Sequence, residues 1–296
     1  MFVNAYKGRG RSIAVLLTVL GSGSSGNATL ISYQDEHVLL DAGLSYRALQ
    51  ERLGALNVAV EAITAIFVTH AHGDHVRSAA SVSRRHGVPV YTTTGTRKAW
   101  GGTPAEQIEH WKPLTAGKRT SRGALSFLPF TVPHDANETL AFRIDTPEGA
   151  IGFATDIGCV TSELVSRFQD CRVLVIESNH SVELLRISPY GASLRTRIGS
   201  DQGHLSNEAL AAFCAEHLGE SVQCVVLSHL SRVNNTPAIA EMTCREALDQ
   251  RGRTDVQVLV TEQKRAAETI DMSTLPLPTE ISKKPNVSGQ HVLPFM

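Results

Sequence analysis

Four side chains of types that bind divalent metals fall within six consecutive positions of the stretch Thr69-His70-Ala71-His72-Gly73-Asp74-His75. Imidazole and carboxylate donors suit Zn²⁺, and also Mn²⁺ or Fe²⁺. Residues two apart share one side of an extended backbone, so His70 and His72 point together from a strand, whereas a helical site needs three- or four-residue spacing. A strand-to-loop site is therefore expected, with Gly73 supplying the backbone freedom to turn. Asp74 and His75 then point in a second direction, and two directions suggest two metals. Packing alone is a poor account of such a string, because neutral imidazoles and a carboxylate are costly to bury unpaired.

The elements that must position these groups can be read around them. Residues 63–68 are β-branched and apolar, as a buried strand delivering ligands to a sheet edge should be, and residues 78–86 begin a helical pattern with Arg84, Arg85 and His86 where a helix C-terminus favours cations. The same arrangement of strand followed by polar residue recurs. Residues 125–132 lead to Pro133-His134, 150–154 to Thr155-Asp156, 172–176 to Glu177-Ser178-Asn179-His180, and 224–227 to Ser228-His229. His204 stands just before a helix over 207–218 that Ser206 can cap, and a helix N-terminus there would favour a phosphate. Further strands are expected at 13–20, 28–33, 37–40, 88–92, 140–144 and 256–260, with helices at 45–53, 95–100, 162–168 and 237–251. Gly21-Ser22-Gly23-Ser24-Ser25-Gly26 matches G-x-G-x-x-G, but strand-like residues follow where a dinucleotide site needs a helix, so a hairpin bordering the metal site is expected instead.

The chain has 296 residues, 42% of them hydrophobic, enough for one large core. With 28 basic against 29 acidic residues its net charge is −1, which excludes a global attraction to nucleic acid and leaves only local patches. Arg186, Arg195, Arg197 and Arg232 lie near the polar loops and could form one, or could be ordinary charged surface. The basic stretch Lys112, Lys118, Arg119 and Arg122 reads as a solvated loop, with a phosphate contact as the alternative. Cys159, Cys171, Cys214, Cys224 and Cys244 are odd in number and lack a C-x-x-C pair, as expected of reduced thiols. No apolar run reaches membrane-spanning length, and the run 13–20 reads as a first strand rather than a cleaved signal. The domain reading is a variable extension over 1–12, one catalytic domain over 13–263 and a flexible, proline-containing tail over 264–296.

The H-x-H-x-D-H string resembles the signature of the metallo-β-lactamase fold hydrolases. That resemblance implies an α/β fold, the αβ/βα four-layer sandwich, with two mixed sheets, helices outside and a dinuclear centre at one edge. It implies one metal held by His70, His72 and His134, another by Asp74, His75 and His229, and Asp156 between them. Asp41 would brace the histidine loop, unless it is a simple turn residue. Similarity to the ribonuclease Z-like branch implies that Glu177 orients His204, so that Asp74, Glu177 and His204 are the catalytic candidates. The segments Leu20-Gly21-Ser22-Gly23-Ser24-Ser25-Gly26-Asn27, Glu177-Ser178-Asn179-His180, Gly203-His204-Leu205-Ser206-Asn207 and Leu227-Ser228-His229-Leu230-Ser231, with Asn234-Asn235-Thr236, are similar to the YycJ/WalJ branch. What this implies is a cytoplasmic, metal-dependent phosphodiesterase that uses a metal-activated hydroxide as an exonuclease, on DNA in preference to RNA. Hydrolysis of a lactam, lactone or thioester is the alternative within the fold, and a non-catalytic metal-binding protein the alternative outside it.

Overall fold

Alternation along the strands sorts their side chains into three cores, and those cores define the layers. In β11 (Cys171–Glu177) Val173 and Val175 enter a core that also holds Val38 and Phe67, while Leu174 and Ile176 face the opposite way, toward Leu164 and Phe213. β12 (Cys224–Ser228) divides identically, with Cys224 and Val226 inward and Val225 and Leu227 outward. β4 (Ala65–Phe67) sends Ala65 and Phe67 to the central core and Ile66 to the outer core beneath the helices Tyr46–Ala55 and Ala79–His86. In this computed structural model, which describes residues 12–276 apart from 101–107, the result is four layers.

Each sheet has seven strands. The first runs β14-β1-β2-β3-β4-β5-β6, where β1 is Ser12–Gly21, β2 Ala28–Gln34, β3 Glu36–Leu40, β5 Val90–Thr92, β6 Trp111–Pro113 and β14 Ile270–Asp271. The second runs β13-β12-β11-β10-β9-β8-β7, where β7 is Thr120–Arg122, β8 Leu125–Thr131, β9 Leu140–Thr146, β10 Gly149–Ala154 and β13 Gln257–Val260. Both are mixed: β3 to β6 are parallel, as are β10 to β13, and the remaining pairs are antiparallel. This is the four-layer sandwich of two mixed sheets with helices outside that the resemblance implies. The helices Ser162–Phe168, Asn207–His217 and Pro237–Gln250 begin where Thr161, Ser206 and Thr236 accept a hydrogen bond from a first-turn amide.

The segment read as irregular between 101 and 122 contains two short strands. β6 and β7 are three-residue edge strands held by backbone pairing to one neighbour, too short to carry an apolar alternation. Arg119 is paired with Asp145 and Arg122 with Glu36, so these two cations of the basic stretch hold sheet edges. Of the tail expected from 264, residues 270–271 pair with β1, and Met272 is buried in the central core. The remainder of that tail from 277, the extension over 1–11, and 101–107 lie outside the described residues. Among the described residues no helix is long and apolar enough to cross a membrane.

Candidate metal centre

Six strands end at one rim, and each brings a polar residue there: Asp41 after β3, His70 after β4, His134 after β8, Asp156 after β10, Glu177 as the last residue of β11 and His229 after β12. Asp41, Asp156 and His229 have φ of 59°, 55° and 57°, in the left-handed region that costs a residue with a side chain about 1 kcal/mol or more. Three such turns at one rim show that packing elsewhere enforces the geometry. Asp74 and His75 arrive differently from expectation. Gly73–Val76 is a single helical turn with His72 at its cap, and Gly73 does not take positive φ, so the change of direction comes from the turn and not from glycine's freedom.

All seven residues expected as metal ligands converge. Donor atoms of His70, His72 and His134 lie within 4.8 Å of one another, as do those of Asp74, His75 and His229, and those of His70, His75 and Asp156. Asp156 lies between: its Oδ2 is 2.9 Å from His75 Nε2, and its Oδ1 is 3.7 Å from His134 Nε2 and 3.4 Å from His229 Nδ1. Each trio combines residues from both sheets.

Three imidazoles have one nitrogen committed to an acceptor. His75 Nδ1 donates to Asp41 Oδ2 at 2.7 Å, His134 Nδ1 to the Gly203 carbonyl at 2.9 Å and His229 Nδ1 to Glu177 Oε1 at 2.7 Å. Each bond fixes the tautomer that leaves the Nε2 lone pair facing the centre, the form a metal requires. His134 Nε2, His229 Nε2 and Asp156 Oδ2 are buried without a hydrogen-bond partner. Buried polar atoms without a partner are costly, and a divalent cation would satisfy all three. The donor set therefore fits two such ions.

The electrostatics agree. Burial and the neighbouring His75 hold the His70 imidazole well below its ordinary pKa. Burial also opposes charge on His229, but Asp156, Asp74 and Glu177 outweigh it and push the group up to about 10. His75 is likewise raised, by Asp156 and Asp41 against burial. Burial would raise Asp156, yet His229 and His75 hold it well below the usual carboxylate range. Glu177 is drawn down to about 2, against burial, by His204 and His229. Buried carboxylates ionised among imidazoles are a charge arrangement built around cations.

His204 belongs to none of these trios, but its donor atom lies within 4.8 Å of those of Asp156, Glu177 and His229. Its Nδ1 donates to Glu177 Oε1 at 2.8 Å and lies 3.6 Å from Asp156 Oδ1, and its side chain is 21% exposed, so it can meet a substrate. Asp41 accepts from the Thr69 amide at 2.8 Å and from the Thr69 hydroxyl as well as from His75, which makes it a brace and more than a turn residue. The expected glycine-serine hairpin does border the site: Asn27 Nδ2 lies 2.8 Å from His75 Nε2 and 3.2 Å from Asp74 Oδ2, and Ser22 Oγ accepts from the His229 amide at 2.6 Å. Sequence reasoning passed over Asp135, whose Oδ1 is 3.1 Å from His134 Nε2 and whose carboxylate is paired with Arg197. Its position next to His134 was the only available signal. Of the other arginines, Arg186 pairs with Glu183, Arg195 donates to the Arg186 carbonyl and Arg232 is exposed.

A family model described as a beta-lactamase superfamily domain matches residues 36–230. The exodeoxyribonuclease YycJ of Bacillus anthracis is 30% identical over 239 residues, 79% of this chain and 89% of that protein. The exodeoxyribonuclease WalJ of Streptococcus pneumoniae strain D39 is 32% identical over 238 residues, 79% of this chain and 88% of that protein. Among solved structures, the metallo-β-lactamase fold protein YhfI of Bacillus subtilis matches with a TM-score of 0.64 at 14% identity, covering 86% of this chain and 98% of that one, a likeness of fold alone.

Proposed function

Because the chain belongs to the metallo-β-lactamase superfamily of metal-dependent hydrolases, in the branch of YycJ and WalJ, we propose that it is a dinuclear phosphodiesterase that degrades DNA from an end. His70, His72 and His134 would hold one divalent ion and Asp74, His75 and His229 the other, with the Asp156 carboxylate between the two sets; zinc suits the donors best. Such a pair, when bound, supplies Lewis acidity toward a phosphoryl oxygen and acidifies a water near neutral pH.

The observation that carries the phosphoryl reading is one carboxylate serving two imidazoles. Glu177 Oε1 accepts from His229 at 2.7 Å and from His204 at 2.8 Å, so a group holding a metal ligand also aims the neighbouring imidazole. With Nδ1 bound to Glu177, His204 presents Nε2 to the substrate. Protonated there, it gives its proton to the leaving alkoxide oxygen as the P–O bond breaks, a step that hydrolysis of an activated lactam needs less. Burial lowers the proton affinity of His204, and the Glu177 carboxylate more than restores it, so the imidazole holds its proton more strongly than a free one.

Turnover by protein reconstituted separately with Zn²⁺ and Mn²⁺ tests this reading on end-labelled DNA, end-labelled RNA, bis-p-nitrophenyl phosphate and nitrocefin. DNA cleavage that disappears in Asp74→Ala and His204→Ala is expected. Turnover of nitrocefin or a lactone with every phosphodiester intact would leave only the fold and the candidate metal centre standing.

A further inference from the structure

Two cavities meet at His204, and their linings differ. The larger, about 740 Å³, opens between the helices Ser162–Phe168 and Asn207–His217. Val165, Leu185, Ala209 and Phe213 form apolar wall. Its residues of fixed charge are Asp201 and Glu216, with neither lysine nor arginine in the lining. The smaller, about 190 Å³, reaches His204 beside Tyr190, Arg197 and Asp135. A polyanionic strand is repelled by the first surface, and at the second it meets Arg197, whose guanidinium is paired with Asp135 but is 61% exposed.

Taking the phosphodiesterase reading as its basis, we infer that the larger cavity seats the nucleobase carried by the leaving-group sugar, unstacked from its neighbours, while the phosphate chain continues past Arg197. The leaving oxygen must lie at His204, and the cavity begins there, so whatever is attached to that oxygen on the side away from Arg197 enters it. A base is itself uncharged and suits a largely apolar wall that offers no cation, and the volume exceeds what a phosphate alone would fill. His180 adds a polar group: it is only 2% exposed, lines the cavity, and its Nδ1 has a 3.4 Å contact with Asn179 Oδ1. Of the six exposed large aliphatic residues among the described ones, Val182, Ile187, Leu194 and Val233 lie in the 182–233 stretch, Val182 on the larger cavity and Leu194 on the smaller. Such side chains suit the faces of unstacked bases.

Cys159 provides a readout separate from catalysis, because it lines this cavity and is half-buried while the other four cysteines are buried. Alkylation of Cys159 by iodoacetamide, followed by mass spectrometry on the metal-loaded full chain, is expected to slow severalfold with deoxyadenosine. Ala209→Trp, on an exposed position of the cavity wall, and separately Ala212→Trp should abolish that protection. On oligonucleotides, an abasic residue on the leaving side of the terminal phosphodiester should lower kcat/KM about tenfold. Ala209→Trp should reduce the ordinary substrate toward the abasic rate. Unaltered alkylation with deoxyadenosine, or protection by an octanoyl thioester in its place, overturns the inference. Protection by deoxyadenosine without any phosphodiester turnover upholds the base pocket and overturns the phosphodiesterase reading.

Discussion

Glu177 joins two tasks, since one oxygen accepts from a candidate metal ligand and from the imidazole that faces substrate. Replacing it by glutamine removes the charge but keeps the shape. A proton donor works below its own pKa, and Glu177 raises that of His204 above the ordinary value against the effect of burial. The alkaline limb of kcat on DNA is therefore expected to move to lower pH in Glu177→Gln, with kcat falling about 10²-fold or more. A limb that stays in place would remove Glu177 from this role. Asp41→Asn should act otherwise, weakening zinc binding about 10- to 100-fold in a chelator competition, because His75 then loses the acceptor that fixes its tautomer. Both carboxylates were legible in sequence as polar residues ending strands. The third tautomer lock was not, because the acceptor for His134 is the backbone carbonyl of Gly203, and a carbonyl has no letter.

Elements constrain the site through close approaches that substitution can probe. A Cβ on Gly43 would stand 1.5 Å from the Asp74 carbonyl oxygen, which itself accepts from the Asn27 amide at 2.7 Å. Gly43→Ala must therefore push the turn Gly73–Val76 outward. That turn carries Asp74 and His75 but not His70 or His134, so zinc bound per chain, by native mass spectrometry, is expected to drop from two toward one. Retention of two ions in a folded variant would contradict the division into two trios. The strands that flank the site were readable because β11 and β12 are runs of buried apolar residues ending in polar ones. Gly73–Val76 was not, since four residues are too few for helical periodicity, and β14, two residues long, offers no alternation.

At the scale of the molecule, the candidate ions join its halves. His70, His72, Asp74 and His75 follow β4 of the first sheet, whereas His134 and His229 follow β8 and β12 of the second, so each trio spans both. Binding to the folded chain alone stabilises it by about 2.7 kcal/mol at 100 times Kd. At roughly 2–4 °C per kcal/mol, Tm should rise by about 5–10 °C with zinc and fall back with a chelator. Protons compete for the same nitrogens. Without metal, His229, raised to about 10, stabilises the fold fully below its unfolded value of about 6.5 and loses that contribution as pH climbs through 10. At neutral pH the incoming ion must displace this proton, and acid makes displacement harder. The Tm increment from zinc is therefore expected to be larger at pH 8 than at pH 6, with proton release detectable by calorimetry in buffers of different ionisation enthalpy. An increment independent of pH, with no protons released, would mean that zinc binds elsewhere than at these buried imidazoles.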